Sequence, residues 1–378
     1  MSVSIRSALR QHNGVIRLIE AHDGFSTEVI RNAGGDDHYF EGVWISGLTQ
    51  TTYLGVPDTE LISPLHRAIL EAAKVKSNST NERLLCAAFD ADSGGDIENI
   101  PALVTVLVNA GISMVIIEDK DLNAPGEKVN SLLSADGSQL QADPLEFSKR
   151  IQAFRKCAIG SELMVTARIE SFNVRIKKND PTEDSASIQK SLEDALSRAV
   201  IYTEAGVDAI MIHSKSHSSS EVVSFMRRFR EKNSTMPLVV VPTTYSTTPR
   251  TSLVDAGANI IIYANHLMRA KIQAIEIIAQ TLLAESPGLF LKDEEAKACL
   301  EAQNYGCLLR ILLDRDFENG KNEEVKQFLV AAQKGAIENM GATVEELALG
   351  TQSGCEADAR IIPVKRLLGI NAIQVATV

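Results

Sequence analysis

The chain predicts a closed (β/α)8 TIM-type barrel on three observations. There are eight short apolar runs, amphipathic helical patterns between them, and a polar or charged residue at the C-terminal end of every run. The runs are Val15–Glu20, Gly42–Ser46, Leu84–Phe89, Ser113–Ile117, Leu163–Arg168, Ala209–His213, Pro237–Val241 and Asn259–Tyr263. Continuous apolar stretches of this kind suit strands buried on both faces, hence a parallel sheet covered by helices.

Helical periodicity falls between the runs, over Glu60–Val75, Asn99–Ala110, Pro144–Cys157, Ile188–Ala205, Ser220–Glu231 and Leu267–Leu283. The tripeptides Asn109–Gly111, Glu204–Gly206 and Asp255–Gly257 each place a glycine where a helix should stop, just ahead of a strand. Eight such units fill residues 1–285 as one barrel. Residues 286–378 carry two further helical patterns and read as a C-terminal helical extension, an expected oligomer contact giving a homodimer or homotetramer.

With 378 residues, 44% of them hydrophobic and 23% charged, the chain can bury a large core. No apolar run reaches the roughly 18 residues of a membrane span, and Met1–Gln11 lacks the apolar segment of a signal peptide, so no membrane partner and a cytoplasmic location are expected. A net charge of −11 argues against nucleic acid, whose phosphates want a basic face. The five cysteines are scattered with no CxxC pair, which suggests neither a disulfide framework nor a zinc site.

The chemistry-bearing residues gather at the strand ends, where such a barrel carries its active site. Asp90 and Asp92 follow the third strand, with Gly94 and Gly95 beside them, and Glu118 ends the fourth. Three carboxylates without neighbouring His or Cys suit a hard cation, and Mg2+ fits best. The plainer alternative is an acidic loop or a cap for the helix starting near Ile97. Trp44, Ser46, Gly47 and Leu48 end the second strand in a small turn whose amides could cradle a carboxylate or enolate oxygen. Arg168 offers a planar fork for a carboxylate or phosphoryl group, and His213 can donate to a phosphoryl oxygen or move a proton.

Ten segments together resemble the phosphoenolpyruvate mutase family of the isocitrate lyase superfamily. They are Glu20–Ser26, Gly42–Leu48, Leu54–Asp58, Asp90–Gly94, Glu118–Lys120, Lys128–Ser131, Ala167–Phe172, Ala205–Lys215, Val240–Thr243 and Ala264–Ala270, in register from about residue 5 to residue 285. The resemblance implies Mg2+-dependent interconversion of phosphoenolpyruvate and phosphonopyruvate, the step that makes a carbon–phosphorus bond for phosphonate biosynthesis. It implies Asp58 as phosphoryl acceptor or its neighbour, with Ser46, Gly47 and Leu48 holding the pyruvyl enolate near Mg2+. Asn130, Arg168, His213 and Ser214 would hold the phosphoryl group, with Ser131 a further substrate-binding residue and Lys128 on a gating loop. Asp58 alone also suits the cap of the helix that follows it.

Two departures qualify that expectation. Nine residues separate Lys120 from Asn130, four more than the family signature carries, so the lid is longer. The polar stretch Asn173–Gln189 reads as a flexible loop over the barrel mouth. A phosphonopyruvate hydrolase is the closest alternative, and Asn130, where hydrolases commonly carry Thr, favours the mutase. A carbon–carbon lyase acting on a 2-hydroxy di- or tricarboxylic acid is disfavoured, because no cysteine lies between Cys86 and Cys157. A catalytically dead ligand-binding barrel is the non-enzyme alternative.

Overall fold

The structure is a computed structural model and describes residues 3–35, 38–55, 62–71, 83–121 and 139–283. The chain divides into two compact units, Met1–His266 with Val364–Val378, and Leu267–Pro363. The expected helical extension over 286–378 lies outside the described residues.

Eight strands form the first unit's centre: β1 Ile16–Glu20, β2 Gly42–Ile45, β3 Cys86–Asp90, β4 Met114–Glu118, β5 Met164–Ile169, β6 Ala209–Ile212, β7 Leu238–Val240 and β8 Ile260–Tyr263. Each pairs in parallel with the next, and β8 pairs with β1, so the barrel closes. All eight predicted runs are strands, with ends moved by a residue or two. Every second side chain points inward: Ile16, Leu18, Trp44, Cys86, Ala88, Met114, Ile116, Met164, Ala209, Met211, Val239, Ile260 and Ile262 make one buried cluster. Gly42 shares that face, where a Cβ would stand 2.4 Å from both the carbonyl oxygen and Sγ of Cys86. Continuing the same period to the C-terminal ends puts Glu20, Ser46, Asp90, Glu118, Arg168 and His213 on the inner face.

The other end of the barrel is plugged. Helix α1, Ile5–Gln11, sends Ile5 and Ala8 into the inner cluster, and the Ile5 N–H donates to Ser113 Oγ at 3.0 Å, just ahead of β4. Chemistry is left to the opposite mouth.

Around the strands run α2 Gly24–Asn32, α3 Gly47–Leu54, α4 Pro64–Glu71, α5 Ile100–Ala110, α6 Pro144–Cys157, α7 Pro181–Glu204, α8 Ser220–Lys232 and α9 Arg250–Asp255, while α10, His266–Leu283, leads into the second unit. Helix α6 coincides with its prediction because Asp143 caps it and Pro144 takes the first position, where a missing N–H costs nothing. The described part of the helix expected over Glu60–Val75 is α4. A 3-10 turn, Ile97–Asn99, precedes α5 with Asp96 at its cap position, so Asp90 and Asp92 are not helix caps.

Two expectations are corrected. Most of Asn173–Gln189 is not a loop: α7 begins at Pro181, because Asp180 accepts from the amides of Thr182 and Glu183 at 2.9 and 3.0 Å and acidic residues fill the first turn. The irregular remainder is tied down by Arg175, which pairs with Asp184 at 2.5 Å and Glu221 at 3.3 Å. The second correction concerns the turn expected after β2. It is the first turn of α3, because Ser46 has extended backbone and caps it.

Candidate active site

On one side of the mouth, α3 and the end of β3 face each other. Ser46 Oγ accepts from the Thr49 amide at 3.3 Å and the Gly47 amide donates to Asp90 Oδ2 at 3.2 Å. Between them the Leu48 N–H has no hydrogen-bond partner among the described residues, as the first turn of a helix leaves it. Asp92 sits at φ 47°, a left-handed conformation that costs a non-glycine residue energy and is characteristic of functional sites. A Cβ on Gly47 would stand 3.1 Å from Asp92 Oδ1 and 3.3 Å from both Asp90 Oδ2 and Arg67 Nη1, so the two carboxylates and the guanidinium behind them border a space that glycine leaves open. Behind them the buried Arg67 of α4 donates to Asp92 Oδ2 at 2.5 Å, to the Asp90 carbonyl at 2.9 Å and to Gln50 Oε1 at 2.8 Å.

Glu118 ends the adjacent strand, and its amide donates to the Asp92 carbonyl at 2.7 Å. Its carboxylate pairs with Lys120 and, at 3.2 Å, with Arg168. Burial pushes Glu118 up to about 7 against the pull of Lys120 and Arg168, with Glu170 and Asp90 adding to the rise. As placed, no three acid, His or Cys side chains among the described residues meet at one ion-binding point. Asp90 and Asp92 do meet around Gly47, and Mg2+ commonly takes one or two carboxylates together with waters and substrate oxygens. The pair fits a Mg2+ ion on that footing, with Glu118 as a nearby third acid.

On the far side, Arg168 of β5 is held by Glu118, by Glu170 and by His213 Nδ1, the last at 3.0 Å from Nη2. Burial opposes charge on Glu170, but Arg168 above all, with Lys120, outweighs it and holds the carboxyl well below the usual range. Burial and Arg168 together lower His213, against Glu170. Asn173 Nδ2 donates to Glu170 Oε2 and reaches His213 Nδ1, both at 2.7 Å. Trp44 Nε1, Thr166 Oγ1 and Thr243 Oγ1 are buried without a hydrogen-bond partner among the described residues, polar groups that a ligand or water would satisfy.

Asp119 fixes the strand ends from outside the barrel. Its carboxylate accepts from the Glu170 amide at 2.9 Å, from Tyr202 Oη at 2.7 Å and from Gln141 Nε2 at 2.9 Å. Lys120 and Gln141 form an antiparallel bridge, which brings together the chain on either side of residues 122–138.

Trp44, Ser46, Gly47, Leu48, Asp90, Asp92, Glu118, Arg168 and His213 all stand at the C-terminal mouth. Ser214 does not offer its hydroxyl: that group donates to Glu221 and accepts from the Ser216 amide at 3.0 Å, holding the β6–α8 turn. Asp58, Lys128, Asn130 and Ser131 lie outside the described residues. Sequence reasoning missed Arg67 and Asn173 as site residues. Lys120 and Glu170 were legible as polar residues at the ends of the fourth and fifth strands, but no role was assigned to them. Arg67 carried no signal, being one cation on an amphipathic helix.

The closed barrel, with acids and an anchored arginine–histidine pair at its mouth, falls in the phosphoenolpyruvate mutase/isocitrate lyase superfamily, in which the relatives of this chain are enzymes. The chain belongs to the phosphoenolpyruvate phosphomutase family, whose sequence profile matches residues 5–283. It is 32% identical to the phosphoenolpyruvate phosphomutase of Tetrahymena pyriformis over 281 residues, 74% of this chain and 83% of that protein. It is also 28% identical to the phosphonopyruvate hydrolase of Variovorax sp., over 73% of this chain and 85% of the relative. Among solved structures it resembles a phosphoenolpyruvate phosphomutase from Streptomyces platensis subsp. rosaceus, with a TM-score of 0.61, 29% identity and coverage of 84% of this chain and 99% of that one. A phosphonopyruvate hydrolase solved with oxalate and Mg2+ shares the fold, with a TM-score of 0.59, 22% identity and coverage of 85% and 100%. Among the described residues no helix is long and apolar enough to cross a membrane.

Proposed function

We propose that the protein interconverts phosphoenolpyruvate and phosphonopyruvate. The observation that carries this reading is that one mouth brings together the α3 amides, Asp90 and Asp92 from the ends of β2 and β3 with Arg168 and His213 from the ends of β5 and β6 of the eight-stranded barrel. The phosphoryl group leaves the enol oxygen, and the resulting pyruvate enolate takes it back at the methylene carbon. No atom is gained or lost.

Asp90 and Asp92, with Glu118 near, would hold Mg2+, which when bound supplies positive charge to the enolate and carboxylate oxygens. The Leu48 N–H donates to the enolate oxygen and Trp44 lies beside the carbon frame. Arg168 and His213 bind phosphoryl oxygens, and their fixed partners mean that little reorganisation is needed as charge moves. Asp58 is the proposed transient phosphoryl carrier, Asn130 a proposed phosphoryl ligand, Ser131 a proposed substrate-binding residue and Lys128 part of the proposed gate that keeps water out.

Hydrolysis of phosphonopyruvate at the same site is the second reading, favoured by the likeness to the Variovorax protein. Pyruvate release distinguishes the two. With phosphonopyruvate and Mg2+, an assay coupled to lactate dehydrogenase is expected to detect no stoichiometric pyruvate. Pyruvate equal to substrate consumed would assign the hydrolase instead.

A further inference from the structure

We infer that Glu170 and Asn173 act as positioning residues that fix which nitrogen of His213 carries its proton, so that a neutral imidazole presents Nε2–H to the mouth. The inference rests on the proposed reaction only for what that proton is used for; the tautomer itself follows from the neighbours of the ring.

His213 Nδ1 faces Arg168 Nη2 at 3.0 Å and Asn173 Nδ2 at 2.7 Å. A guanidinium has N–H donors and no acceptor, so Nδ1 must accept, and in a neutral ring the proton then resides on Nε2. The Glu170 carboxylate is 3.7 Å from Nδ1, too far to take a hydrogen bond from it. Burial and Arg168 both disfavour the imidazolium, in keeping with a neutral ring. Among the described residues Nε2 has no hydrogen-bond partner and remains available to a ligand oxygen.

An asparagine amide can turn either way, and Asn173 turned over would offer its oxygen to Nδ1 and invert the tautomer. Glu170 prevents that. Its Oε2 lies 2.7 Å from the amide nitrogen, and an oxygen there would set two acceptors against each other. The orientation has a cost, since Asn173 Oδ1 is buried without a hydrogen-bond partner among the described residues. The two bonds made by its nitrogen, one to a carboxylate, offset that cost. Glu170 thereby orients Asn173, and Asn173 with Arg168 orients the proton of His213. Asp119 holds the start of the chain, since its carboxylate accepts from the Glu170 amide.

The test is long-range 1H–15N correlation on the intact protein labelled at histidine, with His213 assigned from the resonance missing in His213→Gln. Wild-type His213 is expected to show the Nε2–H pattern at neutral pH. Asn173→Asp, which replaces a donor by an acceptor, is expected to move the proton to Nδ1 or to charge the ring, and Asn173→Gln to restore the wild-type pattern at least in part. A wild-type ring protonated on Nδ1, or an Asn173→Asp spectrum unchanged at His213, overturns the inference. The wild-type spectrum is decisive even if a variant fails to fold. The reading needs no turnover, so failure of the proposed reaction and failure of this inference are seen separately.

Discussion

Arg168→Gln is expected to lower kcat/KM for phosphonopyruvate by a factor of about 10³, the scale lost when a fixed donor to developing charge is removed. The same change should lower the unfolding free energy by about 3–5 kcal/mol, because a buried ion pair that loses one partner leaves the other charge uncompensated. Here the fully buried Glu170 loses its paired cation and Glu118 loses one of two, keeping Lys120. Steady-state kinetics and urea unfolding read the two effects separately. Arg168→Lys keeps the charge and loses the fork, so it should recover more stability than activity. Equal recovery of both would make Arg168 structural.

The pH dependence has a definite sign. Glu170 is held below its ordinary 4.5, so its charged form contributes stability that is fully present above that value and is lost as pH falls through the lower folded value. Without Arg168 burial acts less opposed and the folded value rises, so acid unfolding of the glutamine variant should begin at a higher pH than in wild type. Coincident acid transitions would contradict the pairing.

Gly47→Ala should affect the opposite side of the mouth. Gly47 takes the first position of α3 without a left-handed φ, so its backbone accepts alanine and the fold should survive. The new methyl, 3.1 Å from Asp92 Oδ1 and 3.3 Å from Asp90 Oδ2 and Arg67 Nη1, would occupy the space beside the two carboxylates and press on the arginine that holds Asp92. Mg2+ affinity measured by calorimetry is expected to fall about ten-fold or more, and kcat/KM about 10²-fold. Unchanged Mg2+ binding would remove Asp90 and Asp92 from the metal site.

Much of this was legible in the sequence because a barrel imposes two periods that a chain cannot hide. Apolar strands buried on both faces gave all eight runs, and their two-residue alternation carried Ser46, Asp90, Glu118, Arg168 and His213 to the inner face of the mouth. What escaped depended on partners remote in the chain or on weighing one local signal against another. Arg67 reaches Asp92 from a helix whose pattern marks it as surface cation. Asn173 matters through Glu170 and His213, contacts that no spacing reveals. The start of α7 was written in the Asp180–Pro181 cap, but the polar composition around it read as loop. Ser46 was placed correctly and its local structure was not, since a cap and a turn begin alike.

The most direct test of the account is 31P NMR of the protein with phosphonopyruvate and Mg2+. Growth of the phosphoenolpyruvate resonance at the expense of the phosphonate, dependent on Mg2+ and lost in Asp90→Asn, is the predicted result. Free phosphate in its place, or a phosphonate signal unchanged under conditions in which the protein is folded and binds Mg2+, would contradict it.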